Sequence, residues 1–172
     1  MTTTPITIGV SSCLLGEQVR YDGGHKLDPY IRDTLGRFFR LVGVCPEVGC
    51  GLPVPREAMR LEGDPASPRL VTRLSRIDLT EQMLAYCSAK IVELEREDLC
   101  GFIFKKDSPS SGLSGVKIFN NGVTTNTASG LFASAVVGHF PGLPVVEDES
   151  LADPAARADF IEQVRNYHRW KN

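Results

Sequence analysis

The stretch I-T-I-G-V-S-S-C-L-L-G at 6–16 decides the fold. Ile6 to Val10 is a short apolar run of the kind that forms a strand buried on both faces. It passes directly into a polar, glycine-bearing loop that carries Cys13. The same arrangement recurs twice. Phe39 to Val44 is an apolar run ending in C-P-E-V-G-C-G-L-P at 45–53, and Gly101 to Phe104 ends in K-K-D-S-P-S-S-G at 105–112. Helical signals lie between the strands. Asp28-Pro29 sets an N-cap and a first-turn proline ahead of a helix through about Phe39. Leu79, Met83, Cys87, Ile91 and Leu94 share one face of a helix running from Asp78 or Leu79 to Arg96. Ala128 to Phe140 suits a helix of small residues, and Leu143 to Val146 a last strand. Asp153-Pro154 opens a C-terminal helix over 153–171. Leu70–Leu74 and Val116–Phe119 are two further short strands, the second followed by an Asn120-Asn121-Gly122 turn.

Strands alternating with helices predict an α/β fold, a Rossmann-like three-layer sandwich with a mainly parallel sheet. Ligands of such sheets sit beyond the carboxyl ends of the strands. Three strands of this chain end in its three segments richest in reactive groups. The 172 residues fit one domain, 1–172, large enough to bury a core without disulfides. A net charge of −2 argues against binding nucleic acid through bulk charge. No apolar run approaches the roughly 20 residues that span a bilayer, and M-T-T-T-P-I-T-I-G-V lacks the basic start of a secretory signal. A cytoplasmic protein with no membrane partner is expected.

Five cysteines in a reducing compartment point to metal ligands or catalysts rather than disulfides. Cys13, Cys45 and Cys50 follow strands, at the end where sites form. Cys100 precedes the third strand, so the strand's rise of roughly 15 Å sets it at the opposite end of the sheet. Cys87 falls on an apolar helix face, and both read as small buried hydrophobes. Three soft thiolates near one point suit zinc or an iron–sulfur centre. Zinc would take a fourth ligand, for which His25 in Y-D-G-G-H is available. A cubane on three cysteines would instead leave one iron open. His139 and His168 read as ordinary helix residues. The basic and aromatic end of the chain (Arg165, His168, Arg169, Trp170, Lys171) reads as a partly solvated helix, with RNA contact as the alternative.

Three motifs carry a resemblance: S-S-C-L-L-G with R-Y-D-G (11–16, 20–23), C-P-E-V with G-L-P-x-P-R (45–48, 51–56) and K-x-x-S-P-S-x-G (105–112). Over about residues 5 to 145 the chain resembles the thiouracil desulfidase (TudS-like) family. Its wording is most similar to the branch acting on 4-thiouridine in tRNA, whose members carry an additional C-terminal domain. The resemblance implies a 4Fe-4S cluster on three cysteines and a thiolated pyrimidine base or nucleoside as partner, with tRNA as the macromolecular form. It also implies Glu47 as the base that activates water and Ser108 as a proton relay or orienting group. Many members carry cysteine at the fourth position of S-P-S-C-G as their third ligand. This chain has Ser111 there, and Cys50 where many relatives lack cysteine. The implied ligand set is therefore Cys13, Cys45 and Cys50, with Ser111 lining the pocket. Tyr21, Asp22, Lys106 and Ser110 complete the expected substrate contacts. Two rivals stand beside this reading: a zinc or thiol protein of the same fold, and a non-enzymatic nucleotide- or RNA-binding module.

Overall fold

Thr7–Ser11 form β1, five buried residues at the centre of the main sheet. In the computed structural model, which describes residues 3–172, β1 leads through a 3-10 turn (Ser12–Leu15) and a loop to a π turn (Tyr30–Thr34) and a second 3-10 turn (Leu35–Arg37). Then come β2 (Arg40–Val44), a one-turn helix α1 (Pro46–Gly49), β3 (Met59–Glu62), β4 (Arg69–Thr72) and α2 (Thr80–Arg96). β5 (Leu99–Phe104), β6 (Val116–Asn120), β7 (Val123–Ala128), α3 (Leu131–His139), β8 (Val145–Glu147) and α4 (Pro154–Lys171) complete the chain.

The main sheet has the order β2-β1-β5-β8 with every pair parallel. Burial on both faces explains the unbroken apolar character of β1 and β5. Gly9 is required where it stands: a Cβ there would lie 2.4 Å from the Phe102 ring of the neighbouring strand. On one face, Phe102 and Phe104 stack with ring centroids 4.2 Å apart and meet the Phe132 edge of α3. Met83, Cys87 and Leu94 of α2 join this cluster. On the other face, Ile8, Val10 and Ile103 pack against Ile31, Leu35 and, from α4, Phe160 and Val164. The three-layer α/β arrangement read from the sequence is thus the observed one. No helix among the described residues is long and apolar enough to cross a membrane.

Three local readings change. The helix expected from Asp28 to Phe39 is only the π turn and the 3-10 turn, which still bury Ile31 and Leu35; Gly36 lies inside the run and weakens it. The helix expected from Ala128 begins at Leu131, because Ala128 ends β7. Residues 59–128 also build a second sheet of order β4-β3-β6-β7. Only parts of β4 and β6 were legible there. β7 is V-T-T-N-T-A with five exposed residues, so no buried alternation marks it. Asn121 and Gly122 turn β6 into β7 with positive φ at both positions, which suits a tight hairpin.

The second sheet is pinned by an ion cluster. Glu62 of β3 accepts from Arg60 at 3.0 Å and from both guanidinium ends of Arg76. Those hydrogen bonds, Arg76's first, hold its carboxyl at about 2 instead of 4.5. A depressed carboxylate stabilises the fold above its unfolded value and loses that contribution as pH falls through the folded one. Thermal unfolding of wild type should therefore lose stability between pH 4.5 and about 2 more steeply than that of Glu62→Gln. Parallel curves for the two proteins would show that the cluster contributes nothing.

Candidate functional site: a thiol-lined cavity at the strand ends

Parallel strands deliver their carboxyl ends to one edge, and the cavity lies there, with a volume of about 420 Å³. β1 supplies Cys13, β2 supplies Cys45 and Glu47, and β5 supplies Lys105 to Ser111. Cys13 sits in the 3-10 turn, 8% exposed, its carbonyl accepting from Gly16 and Lys26 N–H groups. Gly16 closes that turn at φ 91°. Burial pushes the Cys13 thiol up, while the charges of Arg20 and Lys105 pull it down and neighbouring Cys45 raises it further. Cys45 is the N-cap residue of α1, and burial raises its thiol too, against the backbone N–H of Val48. A buried thiol and a half-buried one, both favoured in the protonated form, thus face one cavity. Such groups become soft metal ligands on losing their protons.

Cys50 is placed differently. It caps the C-terminus of α1, off the cavity wall, with its thiol donating to the Glu47 carbonyl at 3.2 Å. Burial followed by the Glu47 charge raises it. Helix α2 buttresses this corner: Gln82 Nε2 donates to the Cys50 carbonyl at 2.7 Å, and the Tyr86 ring lies where a Cβ on Gly49 would be. The structure therefore brings Cys13, Cys45 and Ser111 to the wall together, with Cys50 one helical turn behind them.

Glu47 lines the cavity and is held by Arg56, whose Nη2 reaches its Oε2 at 3.0 Å. The Arg56 side chain is 4% exposed. It also donates to the Val19 carbonyl at 2.8 Å and the Pro53 carbonyl at 3.2 Å, and its backbone N–H to Tyr21. Its Nε is buried without a partner among the described residues. Sequence reading used Arg56 only as the end of a motif. A buried guanidinium demands a carboxylate, and an arginine closing a Pro-rich turn beside C-P-E was the available signal.

In the third segment, Ser108 Oγ accepts from the N–H groups of Ser110 and Ser111 at 3.3 and 3.1 Å and pairs with Ser110 Oγ. A hydroxyl has two acceptor sites and one proton, so with both sites filled by N–H groups the Ser108 proton is directed to Ser110 Oγ. Ser110 and Ser111 are buried on the wall. The loop docks on the start of α3 through Ser110's carbonyl, which accepts from Phe132 and Ala133. The approach is so close that a Cβ on Gly130 would lie 2.4 Å from Ser110. Lys106 lines the cavity but its ammonium meets Glu149 at 2.9 Å. Tyr21, 44% exposed, stands at the cavity mouth. Asp22 instead closes its own turn by accepting from Gly24 N–H, and His25 Nδ1 accepts from Leu27 N–H; neither lines the cavity.

Away from this edge, Cys100 and His168 meet at 3.7 Å beside Asp98. Their separation of 68 positions hid this pair from sequence reading. Lys171 already sits on the Asp98 carboxylate at 2.5 Å, so that cluster holds its own cation.

The fold and cavity define an α/β protein that presents thiols, a carboxylate and a serine loop at one strand edge. Residues 8–148 match the 2-thiouracil desulfurase family, and the chain belongs to that family. It is similar to the uncharacterized protein YbbK of Bacillus subtilis (strain 168), with 30% identity over 128 residues, 67% of this chain and 84% of that protein. Among solved structures it resembles a [4Fe-4S]-dependent thiouracil desulfidase, TudS, with a TM-score of 0.70 and 31% identity. That likeness covers 90% of this chain and 98% of the other.

The Glu47–Arg56 pair generates a prediction about stability. Arg56→Met leaves a largely buried carboxylate unpaired and two backbone carbonyls without their donor, which should cost about 3 kcal/mol or more in urea denaturation. Arg56→Lys should recover part of it. A loss under about 1 kcal/mol in the methionine variant would mean that solvent supports Glu47 as well as arginine does.

Proposed function

We propose that this protein removes sulfur from a thiolated uracil, as 2-thiouracil or as 4-thiouridine free or in tRNA, leaving the carbonyl base and sulfide. The observation carrying this reading is the meeting of Cys13, Cys45, Glu47 and Ser108 on one cavity in a chain of the desulfurase family.

The donor set fits a 4Fe-4S cluster. Cys13 and Cys45 present two thiols to the cavity, and Cys50 supplies a third from the end of α1. The Cys50 sulfur is held only by a thiol hydrogen bond to Glu47's carbonyl. Ionisation removes the proton of that bond and sets a thiolate against a carbonyl oxygen, which frees the side chain to turn. Iron–sulfur clusters take thiolate ligands, so Cys50 is the third ligand and Ser111 remains a hydroxyl on the wall. When bound, the cluster supplies a Lewis-acidic iron for the thiocarbonyl sulfur.

The protein's own groups handle water and protons. Glu47 Oε2 is fixed by Arg56, while no group among the described residues holds Oε1. Oε1 is therefore free to take a proton from the water that adds to the C–S carbon. Ser108, its acceptor sites filled by backbone N–H groups and its proton directed to Ser110 Oγ, relays a proton through that hydroxyl pair as the tetrahedral centre collapses. In that collapse the hydroxyl proton of the centre passes to the departing sulfur, the C=O bond forms, the C–S bond breaks and sulfur leaves as hydrosulfide, while Glu47 returns its proton to solvent.

Anaerobic reconstitution with iron and sulfide, followed by assay on 2-thiouracil and 4-thiouridine, tests the reading. Wild type should bind iron and release sulfide. Cys13→Ser, Cys45→Ser and Cys50→Ser should each lower bound iron and change the electron paramagnetic resonance spectrum of the reduced cluster, whereas Ser111→Ala should alter neither. Glu47→Ala should keep its iron and lose roughly 100-fold or more in turnover. Wild type without iron and without sulfide release from either substrate would sink the proposal.

A further inference from the structure

Helix α4 carries a histidine where its buried stripe calls for an apolar residue. Phe160 and Val164 are buried against β5, and His168 is the next residue on that face, four positions on. The contact is tight: a Cβ on Gly101 would lie 2.8 Å from Val164 and 3.3 Å from Phe160. Cys100, fully buried beside Gly101, meets the end of this stripe, its sulfur 3.7 Å from His168 Nδ1. Asp98, in the turn between α2 and β5, completes the group. One of its carboxylate oxygens, the Cys100 sulfur and a ring nitrogen of His168 all lie within 4.8 Å of one another.

These three atoms have the chemistry and the spacing of metal ligands. Asn172 Nδ2 reaches His168 Nδ1 at 3.4 Å while donating to the His168 carbonyl at 2.9 Å. An amide nitrogen only donates, so Nδ1 carries a lone pair, and the Cys100 sulfur meets that same atom. At a tetrahedral zinc, Zn–S of about 2.3 Å and Zn–N of about 2.1 Å set sulfur and nitrogen roughly 3.6 Å apart. A thiolate, an imidazole and one carboxylate suit zinc, whereas magnesium and calcium take oxygen ligands. Asp98 is exposed and His168 half-buried, so one side is open for the ion and a water ligand to enter. Lys171 now holds the place: its ammonium bonds Asp98 Oδ1 and, at 3.3 Å, the Leu99 carbonyl. An ammonium neutralises the carboxylate, whereas zinc also replaces the thiol proton.

We infer that Asp98, Cys100 and His168 form a structural zinc site, with water as fourth ligand, which fastens the last turns of α4 to the start of β5. Binding releases the Cys100 proton to solvent, forms the zinc–sulfur bond and turns Lys171 away from Asp98. The site lies at the opposite end of β5 from the thiol-lined cavity, roughly 17 Å along the strand, and does not depend on the desulfidase reading.

The probe is zinc alone, titrated into protein already reconstituted with iron and sulfide, with bound zinc counted by elemental analysis and its ligands by zinc-edge X-ray absorption. Wild type should take up one zinc per chain, held by one sulfur and lighter ligands. His168→Gln and Cys100→Ala should each lose that ion, whereas Cys13→Ser should keep it. His168 is half-buried near the helix end, so His168→Gln reads the site even where Cys100→Ala fails to fold. Lys171→Met removes the competing ammonium and should tighten zinc binding by roughly two- to fivefold, the range for one exposed ion pair. Zinc should also raise the thermal midpoint of wild type and leave that of His168→Gln unchanged. Zinc that Cys13→Ser loses and His168→Gln keeps belongs to the cavity thiols. Zinc bound only in that way, or none at micromolar free ion, overturns the site. Failure of the cluster to form would remove the desulfidase reading and leave the His168→Gln comparison intact.

Discussion

Gly9 of β1 and the ring of Phe102 in β5 occupy one volume, because the space a side chain at residue 9 would need is filled by the aromatic ring. That contact seats β1 against β5 with Gly9 opposite Phe102, while β1 also pairs with β2 along its whole length. Three strands aligned in one direction end together, and each hands its continuation to the same edge. The thiols, the carboxylate and the serine loop meet because of this alignment. They are drawn from positions nearly a hundred residues apart, and no local contact would gather them.

Buried thiols and a buried ion pair share this edge, and they answer different demands. Burial raises the Cys13 and Cys45 thiols, which favours their neutral form, so each is tolerable without a counter-charge. Glu47 has a permanent counter-ion in Arg56 and is fixed whether or not a ligand is present. The same cavity therefore holds neutral thiols next to a carboxylate whose charge is compensated in place.

The main sheet was legible because its strands are short apolar runs bounded by polar loops, and α2 because Met83, Cys87 and Leu94 recur at helical spacing. The second sheet was not, because β7 is exposed and β3 alternates charged with apolar residues inside a Pro- and Arg-rich stretch. For the site, the strand ends set Cys13, Cys45, Glu47 and Ser108 at one edge of the sheet, and all four line the cavity. Strand ends could not orient Cys50, since five positions along a helical turn bring the chain to a different face than Cys45. Nor could they reveal Arg56, whose importance lies in four contacts spread over residues 19 to 53.

Arg56 joins the backbone at Val19, Tyr21 and Pro53 to the carboxylate of Glu47. These groups belong to two loops that would otherwise be free to move relative to each other. A single residue, through its side chain and its backbone N–H, thus ties the two loops together rather than leaving them independent. The conformational entropy of ordering those loops is lost during folding, before any ligand arrives. Binding then meets a surface already in shape, and the interaction energy of the ligand goes into affinity and chemistry instead of loop closure.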